Sequence, residues 1–361
     1  MKLENFYRGK KVLVTGHTGF KGSWLCAWLV KMGAKVCGYS LNIPTVPSHF
    51  DSLGLSSEMK HVIGDVRDRK NLEEIIKEFR PDLVFHLAAM AIVRTCYDSP
   101  IEAFETNMGG TMNLLDCLRH SSSVKAAIFI TSDKCYENVE WTYGYRETDA
   151  LGGKDPYSAS KACAENVFHA YFHSYFSSGE IYMATTRAGN VIGGADWAKD
   201  RIVPDCIRAW ANQQTLKIRH PHATRPWQHV LEPLSGYLWL GQCLFERREG
   251  INGESFNFGP KAEVEQTVEN LVKQMQNDWD GKYEIHFNEE QKKEAGLLKL
   301  CCDKIQAKTG WKAILDFSET VSFTTRWYKE FYKNKGSIKN LTYQDIEYYQ
   351  ELAITRKMPW I

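Results

Sequence analysis

The feature that most restricts this chain is the rhythm of its first 190 residues, where short β-branched runs alternate with longer stretches of helical spacing. Residues 11–15 read as a strand, 20–32 carry apolar side chains at helical spacing, and 34–40 read as a strand again. Residues 61–65 follow as a strand, then a helix near 69–79, a strand over 82–87 and a helix near 100–120. A strand over 126–132, a helix around 157–176 and a strand over 181–187 complete the series. Strands alternating with helices call for right-handed crossovers and a parallel sheet covered on both faces, an α/β doubly wound architecture.

From about Asn190 the rhythm changes, and aromatic, proline and arginine residues crowd together through Trp227. Later helices, such as residues 267–279, are separated by irregular segments. Residues 1–190 are therefore expected to form the sheet domain. Residues 191–361 are expected to form mainly a smaller C-terminal lobe, with segments returning to the sheet. A length of 361 residues suits two such units. The 45 basic and 44 acidic side chains leave a net charge of +1, so no global field favours nucleic acid or an anionic membrane. Any bound anion must be held by local charge. No apolar run approaches the roughly 18 residues that a membrane span needs, and the charged start lacks the apolar stretch of a secretory signal. Ten cysteines are scattered singly apart from Cys301-Cys302, without a Cys-x-x-Cys pair, which suits reduced thiols in a cytoplasmic protein.

Gly16, Gly19 and Gly22 follow the first strand and open the first helix, together with Thr18, Phe20 and Lys21. Glycines there permit a tight turn and let backbone approach a pyrophosphate at the positive helix N-terminus. The spacing is Gly-x-x-Gly-x-x-Gly, and on spacing alone a plain βα turn competes with dinucleotide binding. Asp65, followed by Val66, ends the third strand, where a carboxylate can accept from an adenine amino group; an ordinary strand-end aspartate fits equally. The second strand ends in Gly38-Tyr-Ser-Leu-Asn42, with neither an acid for a ribose hydroxyl nor an arginine for a 2′-phosphate.

Tyr157 and Lys161, four residues apart at the start of a predicted helix, share one helical face. A tyrosine has an unperturbed pKa near 10, so as a base it needs a positive neighbour such as Lys161. With these residues in place, the chain resembles the extended short-chain dehydrogenase/reductase family in its glycine turn, its Tyr-x-x-x-Lys pair and its two-lobed plan. Leu87-Ala88-Ala89 is similar to the family's stretch beside the nicotinamide, and Asn107-Met-Gly-Gly-Thr111 to its following-helix motif. The resemblance implies a Rossmann domain that binds NAD, a substrate-binding lobe, and assembly as a homodimer or homotetramer.

Within that family, Thr131-Ser132-Asp133-Lys134 resembles the segment of the nucleotide-sugar 4,6-dehydratases that carries a hydroxyl, an acid and a base. Lys134 stands where most branches have glutamate. That departure resembles the branch acting on CDP-glucose, as do the strings starting at Gly16, Pro44, Arg187 and Arg225. The resemblance implies CDP-D-glucose as substrate and an internal redox elimination, and it places the product in the synthesis of bacterial surface polysaccharides such as lipopolysaccharide. In it Ser132 assists oxidation at C4, Tyr157 takes the 4-hydroxyl proton, Lys134 takes the C5 proton and Asp133 protonates the departing 6-hydroxyl. The bland alternative for Lys134 is a group that orients the sugar or pairs with Asp133. Met90-Ala91 departs from the Gln-Pro usual beside the nicotinamide and sugar, and Asp196-Trp197 follows Ala195 where another glycine is usual.

Arg201, Arg219 and Arg225 follow the sixth strand within forty residues and suit a diphosphate gripped in bidentate fashion, or equally a solvated basic stretch. The resemblance implies Asn190 and these three arginines as substrate contacts. No metal is expected, since His220, His222 and His229 lack ligand spacing and a carboxylate partner, and dehydration through a ketone needs none. Two competing functions remain: a related dehydratase or 4-epimerase for another nucleotide sugar, and a silent NAD-binding protein. An acid at Asp133 has no use in an epimerase, and a silent protein needs none of Ser132, Asp133, Tyr157 and Lys161.

Overall fold

The computed structural model describes residues 2–261, 265–286, 297–333 and 338–361. Six strands arise where the rhythm predicted them: β1 (Lys11–Thr15), β2 (Lys35–Ser40), β3 (Lys60–Ile63), β4 (Leu83–His86), β5 (Ala126–Ile130) and β6 (Tyr182–Ala188). A seventh, Ser255–Phe258, comes from the C-terminal half and pairs with β6. The sheet runs Ser255–Phe258, β6, β5, β4, β1, β2, β3, and every pairing is parallel. This is the doubly wound order, with its reversal between β1 and β4.

Two apolar cores explain the layering. Successive strand side chains point to opposite faces, so Val12 and Val14 enter one core with Phe85 and Ile128 while Leu13 enters the other with Val84 and Phe129. The first core takes Trp24, Trp28 and Leu29 of the helix Phe20–Lys31, and Leu234 and Leu238 of the helix Leu231–Phe245. The second takes Leu72 and Ile76 of Arg69–Phe79, Leu114 and Leu118 of Gly110–Arg119, and Phe168 of Pro156–Tyr171. A strand buried on both faces reads as a continuous apolar run, which is why β1, β4 and β5 are so visible in the sequence.

Residues beyond 190 serve both the lobe and the sheet domain. Short pairings, Val191–Ile192 with Gln228–His229, Leu216–Ile218 with Tyr283–Ile285, and Thr224–Pro226 with Glu265–Thr267, build the lobe. The C-terminal helix Ile338–Thr355 instead returns to the helix Phe20–Lys31, where Tyr349 packs edge-on against Trp28. Buried Glu232 fastens this return by accepting from the Tyr349 hydroxyl and the Ile314 and Leu315 amides.

The expected helix near 100–120 contains a π turn at Glu105–Gly109 between Pro100–Phe104 and Gly110–Arg119. One such turn inside a helix often marks a functional position. Here it carries Asn107, whose side chain bonds the Met90 amide and carbonyl and the Ser160 hydroxyl. The loop after β4 is thereby tied to the helix bearing Tyr157.

Candidate active site

The C-terminal edge of the sheet gathers most of the residues singled out by the sequence. At the β1 turn, Gly16 has φ +74° and lies so close to the loop after β4 that a Cβ would sit 2.6 Å from the Ala88 amide nitrogen. A Cβ on Gly22 would sit 2.1 Å from the Gly16 carbonyl oxygen. Gly19 is different: its Cβ would meet only that oxygen, at 3.4 Å, and it caps the helix Phe20–Lys31 without any side-chain capping bond. Backbone amides at an uncapped helix start favour a pyrophosphate. Thr18 is used inside the turn, its hydroxyl donating to the Asn42 carbonyl, and His17 fills the space beneath, bonded to Ser40 and His61.

Asp65 ends the loop after β3 and is engaged by Arg67, which donates from its backbone amide and Nε at 2.9 and 2.8 Å. Burial works to raise the Asp65 pKa, but Arg67 outweighs it and holds the carboxyl below its usual range. Val66 packs under Gly110, where a Cβ would come within 2.6 Å of it. Leu87, Ala88 and Ala89 follow β4, with the Ala88 amide bonded to the Thr15 hydroxyl.

The reacting side chains come from β5 and from the helix Pro156–Tyr171, which is capped by Asp155 and carries Pro156 in its first turn. Tyr157 and Lys161 are both buried, as are Ser132 and Asp133. The Ser132 hydroxyl donates to Asp133 Oδ1 at 3.1 Å and accepts the Lys134 amide at 3.2 Å. Gly189, after β6, presses on the acid so closely that a Cβ would lie 1.8 Å from Asp133 Oδ2. Burial pushes the Tyr157 hydroxyl up to about 12, while a hydrogen bond with Ser132 and the Arg201 charge pull it down. Burial likewise lowers Lys161 to about 8, opposed by the Glu165 carboxylate one turn on. The Lys161 ammonium donates to the Ile130 carbonyl at 3.4 Å. Lys134 is half-exposed, and its ammonium has no hydrogen-bond or ion-pair partner among the described residues. Met90 and Val93 pack with Cys96 against Tyr157, so the atypical Met90 adjoins the predicted base.

A cleft of about 340 Å³ opens between the sheet edge and the lobe, lined by Asp133, Gly189, Asn190, Pro226, Gln228, Gly259, Lys261 and Lys299 among others. Asn190 takes φ +52° there, and the Gln228 amide donates to the Gly189 and Phe258 carbonyls. Of the three predicted arginines, Arg201 reaches the catalytic group. It is paired with Asp196 at 2.8 Å, and its charge acts on Tyr157. Arg219 lies near Asp205, and Arg225 donates to the Thr224 carbonyl beside the cleft-lining Pro226; neither is among the residues lining the cleft.

Sequence reasoning did not find several participants. Gln228, Lys261 and Lys299 of the cleft wall carry no spacing signal. Arg187 and Glu165 form a fully buried ion pair at 2.8 Å beneath Lys161. Glu165 also accepts from the Thr131, Thr185 and Ser255 hydroxyls. Its position eight residues after Tyr157, on the same helical face, was the available signal.

The family described as GDP-mannose 4,6 dehydratase matches residues 13–324. A CDP-glucose 4,6-dehydratase of Salmonella typhimurium is 47% identical over 342 residues, covering 93% of this chain and 95% of that protein. Among solved structures, a UDP-glucose-4-epimerase of Stenotrophomonas maltophila superposes with a TM-score of 0.78 at 20% identity, over 90% of this chain and 99% of that one. A dTDP-glucose 4,6-dehydratase of Bacillus anthracis, solved in complex with NAD, gives 0.75 at 22% identity, over 92% and 100%. At these identities the two structures bear on the fold alone.

Proposed function

The chain belongs to the GDP-mannose 4,6 dehydratase family, and from that premise we propose that it converts CDP-D-glucose to CDP-4-keto-6-deoxy-D-glucose. The observation that carries this reading is Asp133, a buried acid at the end of β5 that lines the cleft together with Asn190, Lys261 and Lys299. An enzyme that only oxidised and re-reduced C4 would have no use for an acid there. The CDP preference rests on the 47% identity to the Salmonella typhimurium enzyme of that name.

NAD fits the residues present: the uncapped turn at Gly19–Gly22 suits its pyrophosphate, Asp65 and Val66 its adenine end, and Tyr157 and Lys161 its nicotinamide ribose. When bound, it would supply the acceptor for the hydride that C4 loses and, once reduced, the donor of a hydride to C6. The chain's own side chains do the rest. Ser132 holds the 4-oxygen while Tyr157 takes its proton, the Ser132 hydrogen bond and the Arg201 charge working against the burial that raises the Tyr157 hydroxyl. The ketone so formed acidifies C5, from which Lys134 removes a proton, and Asp133 gives its proton to the 6-hydroxyl as water leaves. Asn190, Lys261 and Lys299 line the path of the nucleotide, and Arg201 orients the sugar end.

The test is turnover of purified protein with CDP-, UDP-, dTDP- and GDP-glucose in parallel. A kcat/KM for CDP-glucose at least tenfold above the others is expected. Equal or greater turnover of another nucleotide would reassign the substrate, and no turnover of any, with NAD bound, would favour a silent binder. Loss of C5 proton exchange in Lys134→Ala is expected; exchange at the wild-type rate would remove Lys134 as the base.

A further inference from the structure

Gln228 lines the cleft beside Asp133, and its side-chain amide is only half used. It stands on the short strand Gln228–His229, where its backbone amide donates to the Asn190 carbonyl at 3.2 Å. The side-chain nitrogen donates to the Gly189 carbonyl at 2.9 Å and to the Phe258 carbonyl at 3.0 Å. A primary amide has two N–H donors and one carbonyl acceptor, so both donors are spent. Turning the group over would set its oxygen against two carbonyl oxygens, which fixes which end is which. Oε1 is buried and, among the described residues, accepts no hydrogen bond. An acceptor buried without a donor is costly, and in a binding cleft the ligand can supply the missing one.

Burial is graded along the cleft. Asp133 and Gln228 are 2% and 1% exposed, Asn190 and Lys299 are half-buried, and Lys261 is exposed. The deep end therefore holds the acid and the unused acceptor, and the lysines stand toward the mouth. Gly189 joins the two deep groups: a Cβ there would lie 1.8 Å from Asp133 Oδ2, and its carbonyl takes the Gln228 amide. A nucleotide sugar whose C6 meets Asp133 sets its hexose at this end and its diphosphate by the lysines. Its base lies beyond the diphosphate and the ribose, away from Gln228. Of the hexose hydroxyls, the 4-hydroxyl goes to Ser132 and Tyr157 and the 6-hydroxyl to Asp133. The 2- and 3-hydroxyls remain, and the reaction leaves both in place.

We propose that Gln228 is a specificity-determining residue for the hexose, its Oε1 accepting a hydrogen bond from the 2- or 3-hydroxyl, a role that rests on the dehydratase reading above. The two bonds to backbone hold the acceptor rigid, so a sugar without the matching hydroxyl leaves it buried and unpaired. A site built around such a bond rejects the analogue lacking the hydroxyl far more strongly than a pocket wall rejects a change of size. The same contact fixes the turn of the ring, and with it the placing of C5 and C6 against Lys134 and Asp133.

The test measures kcat/KM of the full-length enzyme, with saturating NAD, in wild type and in Gln228→Met. The substrates are CDP-glucose, its 2-deoxy and 3-deoxy forms, and UDP-glucose. If wild type forms no 6-deoxy product from CDP-glucose, the dehydratase reading fails and this contact falls with it. Given turnover, wild type is expected to lose at least about fivefold on one of the two deoxy sugars. Smaller losses on both would overturn the proposal and leave the dehydratase reading standing. Gln228→Met, which lacks the acceptor, is expected to treat CDP-glucose and that deoxy sugar alike, within about twofold. Discrimination that survives in the variant would overturn the proposal, because the hydroxyl is then read elsewhere. Survival together with a lost preference for CDP- over UDP-glucose would overturn it too, assigning Oε1 to the cytosine amino group. Should Gln228→Met unfold, the wild-type enzyme answers alone, labelled with 13C at the glutamine side-chain carbonyl and loaded with NADH so that no turnover occurs. The Gln228 signal is expected to shift with CDP-glucose and not with the rejected deoxy sugar; an equal shift with both would overturn the proposal.

Discussion

Replacing Glu165 with glutamine removes one charge from the buried pair beneath Lys161 and leaves Arg187 uncompensated. The Arg187 guanidinium is 1% exposed, and it meets Glu165 at 2.8 Å, the Tyr136 hydroxyl at 2.8 Å and the Glu147 carbonyl at 3.2 Å. Among the described residues Glu165 is the carboxylate within ion-pair distance of it, and three hydroxyls also donate to that carboxylate. Removing one partner of a buried ion pair costs about 3–5 kcal/mol, chiefly through the charge left behind. At about 2–4 °C per kcal/mol this lowers Tm by roughly 6–20 °C, toward the smaller figure in a chain of this length. The double variant Glu165→Gln/Arg187→Met removes the orphaned charge and should recover at least half of the loss. The change also reaches the site. Glu165 raises the Lys161 pKa against burial, so without it Lys161 loses its proton below its present value of about 8. If Lys161 works as a cation, the alkaline fall of kcat/KM moves to lower pH. Differential scanning fluorimetry and a pH profile measure both effects. A Tm within about 2 °C of wild type, or a double variant less stable than the single one, would refute the reasoning.

Other perturbations separate the parts of the account. Tyr157→Phe should keep the fold and NAD binding while kcat falls about 10²–10⁴-fold, the usual worth of general acid–base catalysis; kcat within tenfold of wild type would contradict its role. Gly189→Ala drives a Cβ into Asp133, which would lie 1.8 Å away. Product formation should fall at least about tenfold with Tm nearly unchanged, as read by turnover and thermal unfolding. Burial raises Glu232 to about 7 against its bonds to the Leu315 amide, the Tyr349 hydroxyl and the Ile314 amide. A carboxyl whose folded pKa is raised contributes full stability below its unfolded value of about 4.3, and that stability is lost as pH rises through 7. Denaturant unfolding at pH 5 and pH 8 should therefore show a loss of up to about 3 kcal/mol from this group, and Glu232→Gln should flatten it.

How much the sequence reveals depends on whether a signal is local. Strands β1, β4 and β5 are legible because each is buried on both faces and reads as an unbroken apolar run. The edge strand Ser255–Phe258 is four residues long and alternates polar with aromatic, so only its pairing with β6 identifies it. The helix near 100–120 is visible by its period, but the extra residue of the π turn that aims Asn107 leaves no mark on that period. Tyr157 and Lys161 are legible because four residues make one helical turn. Arg187 is another matter. In sequence it only opens a string that resembles the CDP-glucose branch, whereas in the fold it is spent on Glu165. That pairing depends on β6 lying beside the helix Pro156–Tyr171, a long-range fact. Arg201 similarly finds Asp196, one of the atypical pair Asp196-Trp197, and so stands by Tyr157 with its charge balanced.

The most direct test of the central claim is proton NMR of CDP-glucose incubated with the purified protein and NAD in D2O. The account predicts a new 6-methyl signal together with deuterium at C5, which requires oxidation at C4, loss of water from C6 and reduction of C6 in one site. Recovery of a 6-hydroxymethyl sugar, unchanged or inverted at C4, would contradict it.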